Sequence, residues 1–177
     1  LKENLLLGTG KIGEIIVQGP VVTRAYQNNS EETSRAKISD ENGFWHRMGD
    51  VGYLDDVGRL WFCGRKAHRV KTEKGVMFTI QCEAIINTHP DVYRSALVGI
   101  GHKGDRLPVI IIEPLKKMSK TEESKLLKEV ADIASDSVLT SQIKIFLIHN
   151  NFPVDIRHNA KIFREKLAKW AQTRITV

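Results

Sequence analysis

The stretch GDVGYLDDVGRLWFCGR, residues 49–65, decides how the first part of this 177-residue chain folds. Two runs rich in apolar and aromatic residues flank the turn sequence DDVG at 55–58. Aspartate and glycine at such a position favour a tight reversal between two paired strands. The stretch from Gly49 to Gly64 therefore predicts a β-hairpin.

Upstream of this hairpin, the sequence predicts extended structure and a polar connection. IGEIIV at 12–17 predicts a strand that enters a turn at Gly19-Pro20, and VVTRAY at 21–26 predicts another short extended segment. The polar residues 27–42 indicate a surface loop or a short helix. GTGKIG at 8–13 matches G-x-G-x-x-G, but strand and turn residues follow it where a dinucleotide site needs a helix. We therefore interpret these glycines as part of a loop.

Immediately downstream, a second hairpin and a helix are expected. HRVKT and VMFTI flank a turn at 73–75, which predicts two short paired strands. A short helix is expected over 81–88, ending at His89-Pro90 because a residue before proline disfavours the helical conformation. Two strands follow, at 95–101 and 107–114.

The remaining chain predicts two amphipathic helices separated by a strand and a loop. Ser119 with Glu122 three residues later forms a capping box. This box opens a helix whose apolar face is Leu126, Leu127, Val130, Ala131, Ala134 and Val138. A strand is expected at 144–148 and a loop at 150–159. The last helix is expected from about Ile162, with Phe163, Leu167, Trp170 and Ala171 on one face.

The net charge of +6 is distributed unevenly. Residues 1–64 hold 7 basic and 9 acidic side chains, a balance of −2, whereas residues 65–177 hold 20 and 12, a balance of +8. The change coincides with a change from an all-β pattern to the α/β order ββαββαβα over 69–177. The sequence therefore predicts two units with a boundary near Gly64 to Arg69. A basic unit suits a polyanion or a nucleotide phosphate, but on charge alone a solvated lysine-rich surface is the favoured interpretation.

Several classes of protein are disfavoured. The longest apolar runs are short, such as VIII at 109–112, and none approaches the roughly 20 residues of a membrane-spanning helix. Cys63 and Cys82 lack paired spacing, and the six histidines form no metal-ligand motif. Reduced thiols and a cytoplasmic location are therefore expected. A nucleic-acid-binding module stays an alternative, but no aromatic platform is interleaved with basic residues.

Three segments, in order, resemble the AMP-forming acyl synthetase superfamily. They are GEIIVQGPVVTRAY at 13–26, HRMGDVGYLDDVGRLWFCGRKAHRVK at 46–71 and HNAKIFREKL at 158–167. The resemblance implies an α/β (α+β) fold: residues 1–67 would be the end of a β-barrel subdomain of a large N-terminal domain. Residues 68–177 would be the small, mobile C-terminal α/β domain.

The resemblance also implies roles for four residues. Asp50 and Arg65 would bind the ribose of ATP, since a carboxylate accepts hydroxyl hydrogen bonds and a guanidinium offers a planar fork of donors. Lys161, on a loop before the last helix, would be the catalytic lysine that stabilises negative charge during adenylation. His68 would lie at the hinge between the two domains. Outside this resemblance, a turn aspartate, a surface arginine and a helix-start lysine are the ordinary interpretations.

Two departures from the family pattern indicate one branch. KTEKGVMFTIQCE at 71–83 has the single glycine Gly75 where most acyl-CoA synthetases carry a glycine-rich loop that meets pantetheine. FPVDIRHNAKI at 152–162 differs from the common P-K-T-x-x-G-K-I. Both resemble the synthetases of bacterial olefin biosynthesis, which form β-lactones from β-hydroxy acids. These departures disfavour coenzyme A as the acceptor of the acyl group.

The sequence therefore predicts the C-terminal fragment of an ATP-dependent, AMP-forming ligase, with Leu1 as a cut and not a biological start. The substrate would be a fatty or β-hydroxy fatty carboxylate, and ring closure to a β-lactone would follow adenylation. A fatty-acyl-CoA ligase is the alternative. ATP and Mg²⁺ would bind mainly to the missing N-terminal domain, which carries the phosphate loop. No nucleic acid, no stable membrane insertion and no turnover by the isolated chain are expected.

Overall fold

A computed structural model describes residues 5–41, 43–102, 104–155 and 157–175 of the chain. Contacts divide the chain into two compact units that separate between Ala67 and His68. A short 3-10 turn spans Lys66–His68. Each unit has its own sheet, with no strand pairing from one unit to the other among the described residues.

The first unit contains an open, four-stranded antiparallel sheet and one short helix. Strand β3 pairs with β1 on one side. The first residues of β3 also pair with β2, and the last residues of β3 pair with β4. The elements are β1 (Gly13–Val17), α1 (Ser30–Ala36), β2 (Lys37–Asp40), β3 (Gly43–Leu54) and β4 (Leu60–Arg65). The expected barrel end is therefore an open sheet in the described part of this unit.

The second unit is a mixed sheet covered by helices on both faces. Its central strand β8 pairs antiparallel with β7 and parallel with β9. Two small hairpins, β5–β6 and β10–β11, lie outside this sheet. The elements are β5 (Val70–Thr72), β6 (Gly75–Met77), α2 (Thr79–Ile86), β7 (Val92–Ile100), β8 (Leu107–Pro114), α3 (Lys120–Ser135), β9 (Ile145–Ile148), β10 (Val154–Asp155), β11 (His158–Ile162) and α4 (Arg164–Gln172).

The VIII run in β8 is continuously apolar because both faces of the sheet are buried. Successive side chains on a strand point to opposite faces. Ile110 and Ile112 therefore join the cluster that α2 and α3 cover, and Val109 and Ile111 join the cluster that α4 covers. All four side chains are fully buried. This sheet is therefore the buried centre of the second unit.

Many of the expected elements are confirmed. The hairpin over 49–64 forms, with the carboxylate of Asp55 accepting hydrogen bonds from the backbone amides of Val57 and Arg59 in the turn. The second hairpin and the strands at β7, β8 and β9 also form. The capping box is complete, since Ser119 accepts from the Glu122 amide and Glu122 accepts from the Ser119 amide.

Other boundaries were wrong. Residues 21–26 form no strand, and residues 37–40 form β2 instead. Helix α2 begins two residues earlier than expected, and α3 ends at Ser135, which leaves Val138 exposed and outside the apolar face. The expected loop at 150–159 contains part of the β10–β11 hairpin, and the last helix begins at Arg164 because β11 continues to Ile162.

Candidate functional site

Asp50 and Arg65 are brought opposite each other by a bulge in the first hairpin. From the turn, Leu54 pairs with Leu60 and Gly52 with Phe62, but then Val51 pairs with Gly64. One extra residue in β4, Cys63, is therefore accommodated between these pairs, and Asp50 is placed opposite Arg65. β-Bulges of this kind redirect side chains and are frequent beside functional sites.

The two side chains form an ion pair with one buried end. Nη1 of Arg65 lies 3.0 Å from Oδ1 of Asp50. The same nitrogen donates a hydrogen bond to the Met48 carbonyl at 3.1 Å, so the Asp50 oxygen is paired by charge without a hydrogen bond of regular geometry. The Asp50 side chain is 20% exposed and that of Arg65 is 59% exposed. The carboxylate is thus held in place while the guanidinium remains accessible to a ligand.

A second ion cluster in this unit was not predicted from the sequence. Glu14 on β1 accepts hydrogen bonds from Nε and Nη2 of Arg47 and lies 2.5 Å from Nζ of Lys66. Burial alone would raise the pKa of Glu14, but Arg47 and Lys66 together lower it. The only sequence signal was an acidic residue at the start of an apolar strand, which does not reveal two partners 33 and 52 residues away.

Lys161 lies on strand β11 and not on a loop, which corrects the expectation. The strand is part of the β10–β11 hairpin, in which Val154 pairs with Ile162. Lys161 is exposed. The neighbouring Asp155 carboxylate has a pKa lowered first by hydrogen bonds from Arg157 and in smaller part by the charge of Lys161. An exposed ammonium on a short hairpin is available to an anionic ligand.

His68 lies at the end of the 3-10 turn, where the second unit begins. Its Nε2 atom lies 3.4 Å from Oε1 of Glu165, in the first turn of α4. The structure thus places His68 and Lys161 in the second unit and Asp50 with Arg65 in the first. The hinge role of His68 stays a prediction.

No group of three or more histidine, cysteine, aspartate or glutamate side chains in residues 5–41, 43–102, 104–155 and 157–175 is arranged to hold a metal ion. In the same part of the chain, no helix is both long and apolar enough to cross a membrane.

Two curated relatives match nearly the whole chain. An olefin beta-lactone synthetase from Xanthomonas campestris pv. campestris is 46% identical over 171 residues, which cover 94% of this chain and 31% of the relative. An olefin beta-lactone synthetase from Stenotrophomonas maltophilia is 46% identical over 176 residues, with 96% and 31% covered. The chain thus spans about a third of the length of these relatives. No protein-family model matches it.

Solved structures show the same fold. O-succinylbenzoate coenzyme A synthetase from Bacillus subtilis in complex with AMP matches with a TM-score of 0.74 at 23% identity, covering 94% of this chain and 32% of that one. The same synthetase has been solved with ATP and magnesium ion, and it matches with a TM-score of 0.71. At this identity the likeness establishes the fold of the chain.

Proposed function

Because this chain belongs to the adenylate-forming ligases and corresponds to their C-terminal part, we propose a function for the complete enzyme. It activates a fatty or β-hydroxy fatty carboxylate with ATP and then closes the acyl-adenylate to a β-lactone. The observation that carries the proposal is the bulge that sets Asp50 opposite Arg65. This pair presents an acceptor and an accessible fork of donors, which together suit the hydroxyls of a ribose.

In the first step, a carboxylate oxygen attacks the α-phosphorus of ATP, and the bond from this phosphorus to pyrophosphate breaks. Negative charge increases on the phosphoryl oxygens during this transfer. The exposed Lys161 ammonium provides a compact positive charge to stabilise them. Asp50 and Arg65 contribute by orienting the nucleotide. Mg²⁺ is expected to accompany ATP in the part of the enzyme that precedes this chain.

In the second step, the substrate's own β-hydroxyl oxygen attacks the acyl carbon. The bond from that carbon to the AMP oxygen breaks, AMP leaves, and the hydroxyl proton is released to solvent. The nucleophile is held within the same molecule, so proximity supplies much of the rate advantage. The 46% identity to two olefin beta-lactone synthetases supports this outcome.

Transfer of the acyl group to coenzyme A is the second candidate for this step. A 2-succinylbenzoate–CoA ligase from Geobacillus kaustophilus is 29% identical over 127 residues, 71% of this chain and 25% of the relative. The second unit also has a cavity of about 470 Å³ whose lining includes Thr72, Lys74, His102 and Arg106. This cavity lies beside the β5–β6 turn, in the segment that stands where most acyl-CoA synthetases carry the pantetheine-contacting loop.

Whether the acyl group is transferred to the substrate's own hydroxyl or to coenzyme A is tested with the complete enzyme. It is incubated with ATP, Mg²⁺ and a β-hydroxy fatty acid, with and without coenzyme A. We expect pyrophosphate, AMP and a β-lactone in both reactions, identified by mass spectrometry. The matched control substrate is the same fatty acid without the β-hydroxyl, which should accumulate as acyl-adenylate. Formation of acyl-CoA with no lactone would contradict ring closure, and absence of pyrophosphate release would contradict adenylation itself.

A further inference from the structure

The hairpin that carries Lys161 is bounded at both ends by a buried carboxylate. Glu83 on α2 is 5% exposed and Glu113 on β8 is 7% exposed. Each accepts a hydrogen bond from a backbone amide and pairs with an arginine. A buried carboxylate is costly unless such partners compensate it, so two of them in one small unit require an explanation.

The ion pair between Glu83 and Arg164 lies at the C-terminal end of the hairpin, just beyond Lys161. Arg164 is the first residue of α4, three positions beyond Lys161, and its side chain is 14% exposed. Its guanidinium forms a fork on Glu83, with Nη1 bonded to Oε1 and Nη2 to Oε2 at 3.0 Å. Oε1 of Glu83 also accepts the amide of Leu97 on β7 at 2.7 Å. The exit of β11 is therefore joined to the central sheet.

The ion pair between Glu113 and Arg94 holds the segment that enters the hairpin, just before β10. Oε1 of Glu113 accepts the backbone amide of Phe152 at 3.2 Å, and Oε2 pairs with Nε of Arg94 on β7. The Arg94 guanidinium also lies over the Phe152 ring, 5.4 Å from its centroid. The ring of Phe152 is buried in the cluster that α4 covers. The entrance of the hairpin is therefore joined to the same sheet.

Between these two anchors the hairpin has few cross-strand pairs among the described residues, although Val154 and Ile162 pack against the cluster that α4 covers. Strand β10 has two residues, and the described pairing of β10 with β11 consists of two residue pairs with an irregular register. A two-stranded hairpin of this size is marginally stable in water. The direction of the Lys161 side chain then depends on this packing together with the anchors at the two ends.

We propose that Glu83–Arg164 and Glu113–Arg94 are positioning pairs that hold the β10–β11 hairpin, and hence Lys161, in the geometry for adenylation. This inference rests on the proposed role of Lys161. The pairs touch neither nucleotide nor acyl group; they act through the lysine. Glu83–Arg164 is the pair nearer to Lys161 in sequence, and the test is therefore made on this pair.

The test compares Glu83→Gln, the double variant E83Q/R164M and the matched control Thr140→Val in the complete enzyme. The amide oxygen of Gln still accepts the Leu97 amide but cannot receive the arginine fork. In Glu83→Gln the charge of Arg164 is left unpaired, and the double variant removes this charge as well. A buried ion pair that is replaced by neutral groups of similar volume often retains stability. Thr140 is fully buried and donates to the Ala134 carbonyl, so its variant destabilises the same unit away from the hairpin.

Three quantities are measured: ATP–pyrophosphate exchange, conversion of supplied β-hydroxyacyl-adenylate, and the rate of trypsin cleavage after Arg157 and Lys161. For both Glu83 variants we expect exchange to fall on the order of 100-fold, because a small misplacement of a catalytic group has such an effect. Conversion of the adenylate should change by less than about twofold. Hairpin cleavage should accelerate. Thr140→Val should lower the melting temperature. It should change the exchange rate, the conversion of the adenylate and the rate of hairpin cleavage by similar factors.

Equal loss of both half-reactions, or a loss of exchange no greater than that of Thr140→Val, would overturn the positioning role. Unchanged hairpin cleavage in a folded double variant would overturn the anchoring itself. Normal exchange in Lys161→Ala would contradict the role of the lysine, whatever the cleavage rates show.

Discussion

Lys161 is an exposed side chain whose chemical role depends on where its short strand directs it. Replacement by alanine should lower ATP–pyrophosphate exchange of the complete enzyme by about 100- to 1000-fold, the usual effect of removing one preorganised electrostatic group. Conversion of supplied acyl-adenylate should be much less affected. Lys169→Ala, which removes an exposed lysine from α4, is the matched control and should exchange normally. Similar losses in both variants would indicate a general charge effect and contradict the assignment.

Asp55 shows how one carboxylate stabilises the turn of the first hairpin. Hydrogen bonds from the Trp61 indole, then from Arg59 and two backbone amides, lower its pKa from 3.8 to about 2. A carboxyl whose pKa is lower in the folded state contributes stability above its unfolded pKa and loses it as the pH falls through the folded value.

The stabilisation from Asp55 should therefore be complete above about pH 4 and disappear toward pH 2. Thermal unfolding of the chain and of Asp55→Asn, compared from pH 6 to pH 2, measures this. The variant should melt lower at pH 6, and the difference between the two proteins should shrink as the pH falls toward 2. Asp56→Asn, at the adjacent turn position, is the control. A constant difference at all pH values would show that Asp55 acts through geometry and not through its charge.

At the scale of elements, α3 depends on its N-terminal cap. Ser119→Ala removes the side-chain acceptor of the Glu122 amide, leaves a helix amide unsatisfied and should lower the free energy of unfolding by about 1 kcal/mol. Urea denaturation measures the change. Ser124→Ala, inside the same helix, removes a hydroxyl that bonds to the Lys120 carbonyl and should have little effect. Equal effects of the two substitutions would contradict the capping argument.

The elements that depend on local sequence could be predicted, and those that depend on pairing could not. The DDVG turn, the Ser119 capping box and the apolar period of α3 each act within a few residues. Strand β11 was missed because HNAKI is a short segment with only two apolar residues, and its partner β10 has only two residues. Its position is set by Arg164 and Phe152, whose partners lie 81 and 39 residues away.

At the scale of the whole molecule, the chain has two units and spans about a third of its curated relatives. We expect the isolated chain to catalyse no ATP–pyrophosphate exchange, because the proposed site for the ATP phosphates and Mg²⁺ lies mainly in the part of the complete enzyme that this chain does not span. Exchange assays on the chain and on the complete enzyme, at equal concentration, measure this. Exchange by the chain alone would contradict the proposed division of the active site.

The sequence by itself determined the two-unit organisation, the α/β class, the first hairpin and the candidates Asp50, Arg65 and Lys161. These follow from turn chemistry, side-chain periodicity and the resemblance of contiguous motifs, all of which are local. The tertiary structure decided which residues meet. The bulge at Cys63 sets Asp50 opposite Arg65, and the Glu83–Arg164 fork joins α2 to the segment beyond Lys161. Such contacts depend on strand register and on the compensation of buried charge, which arise only when distant segments pack together.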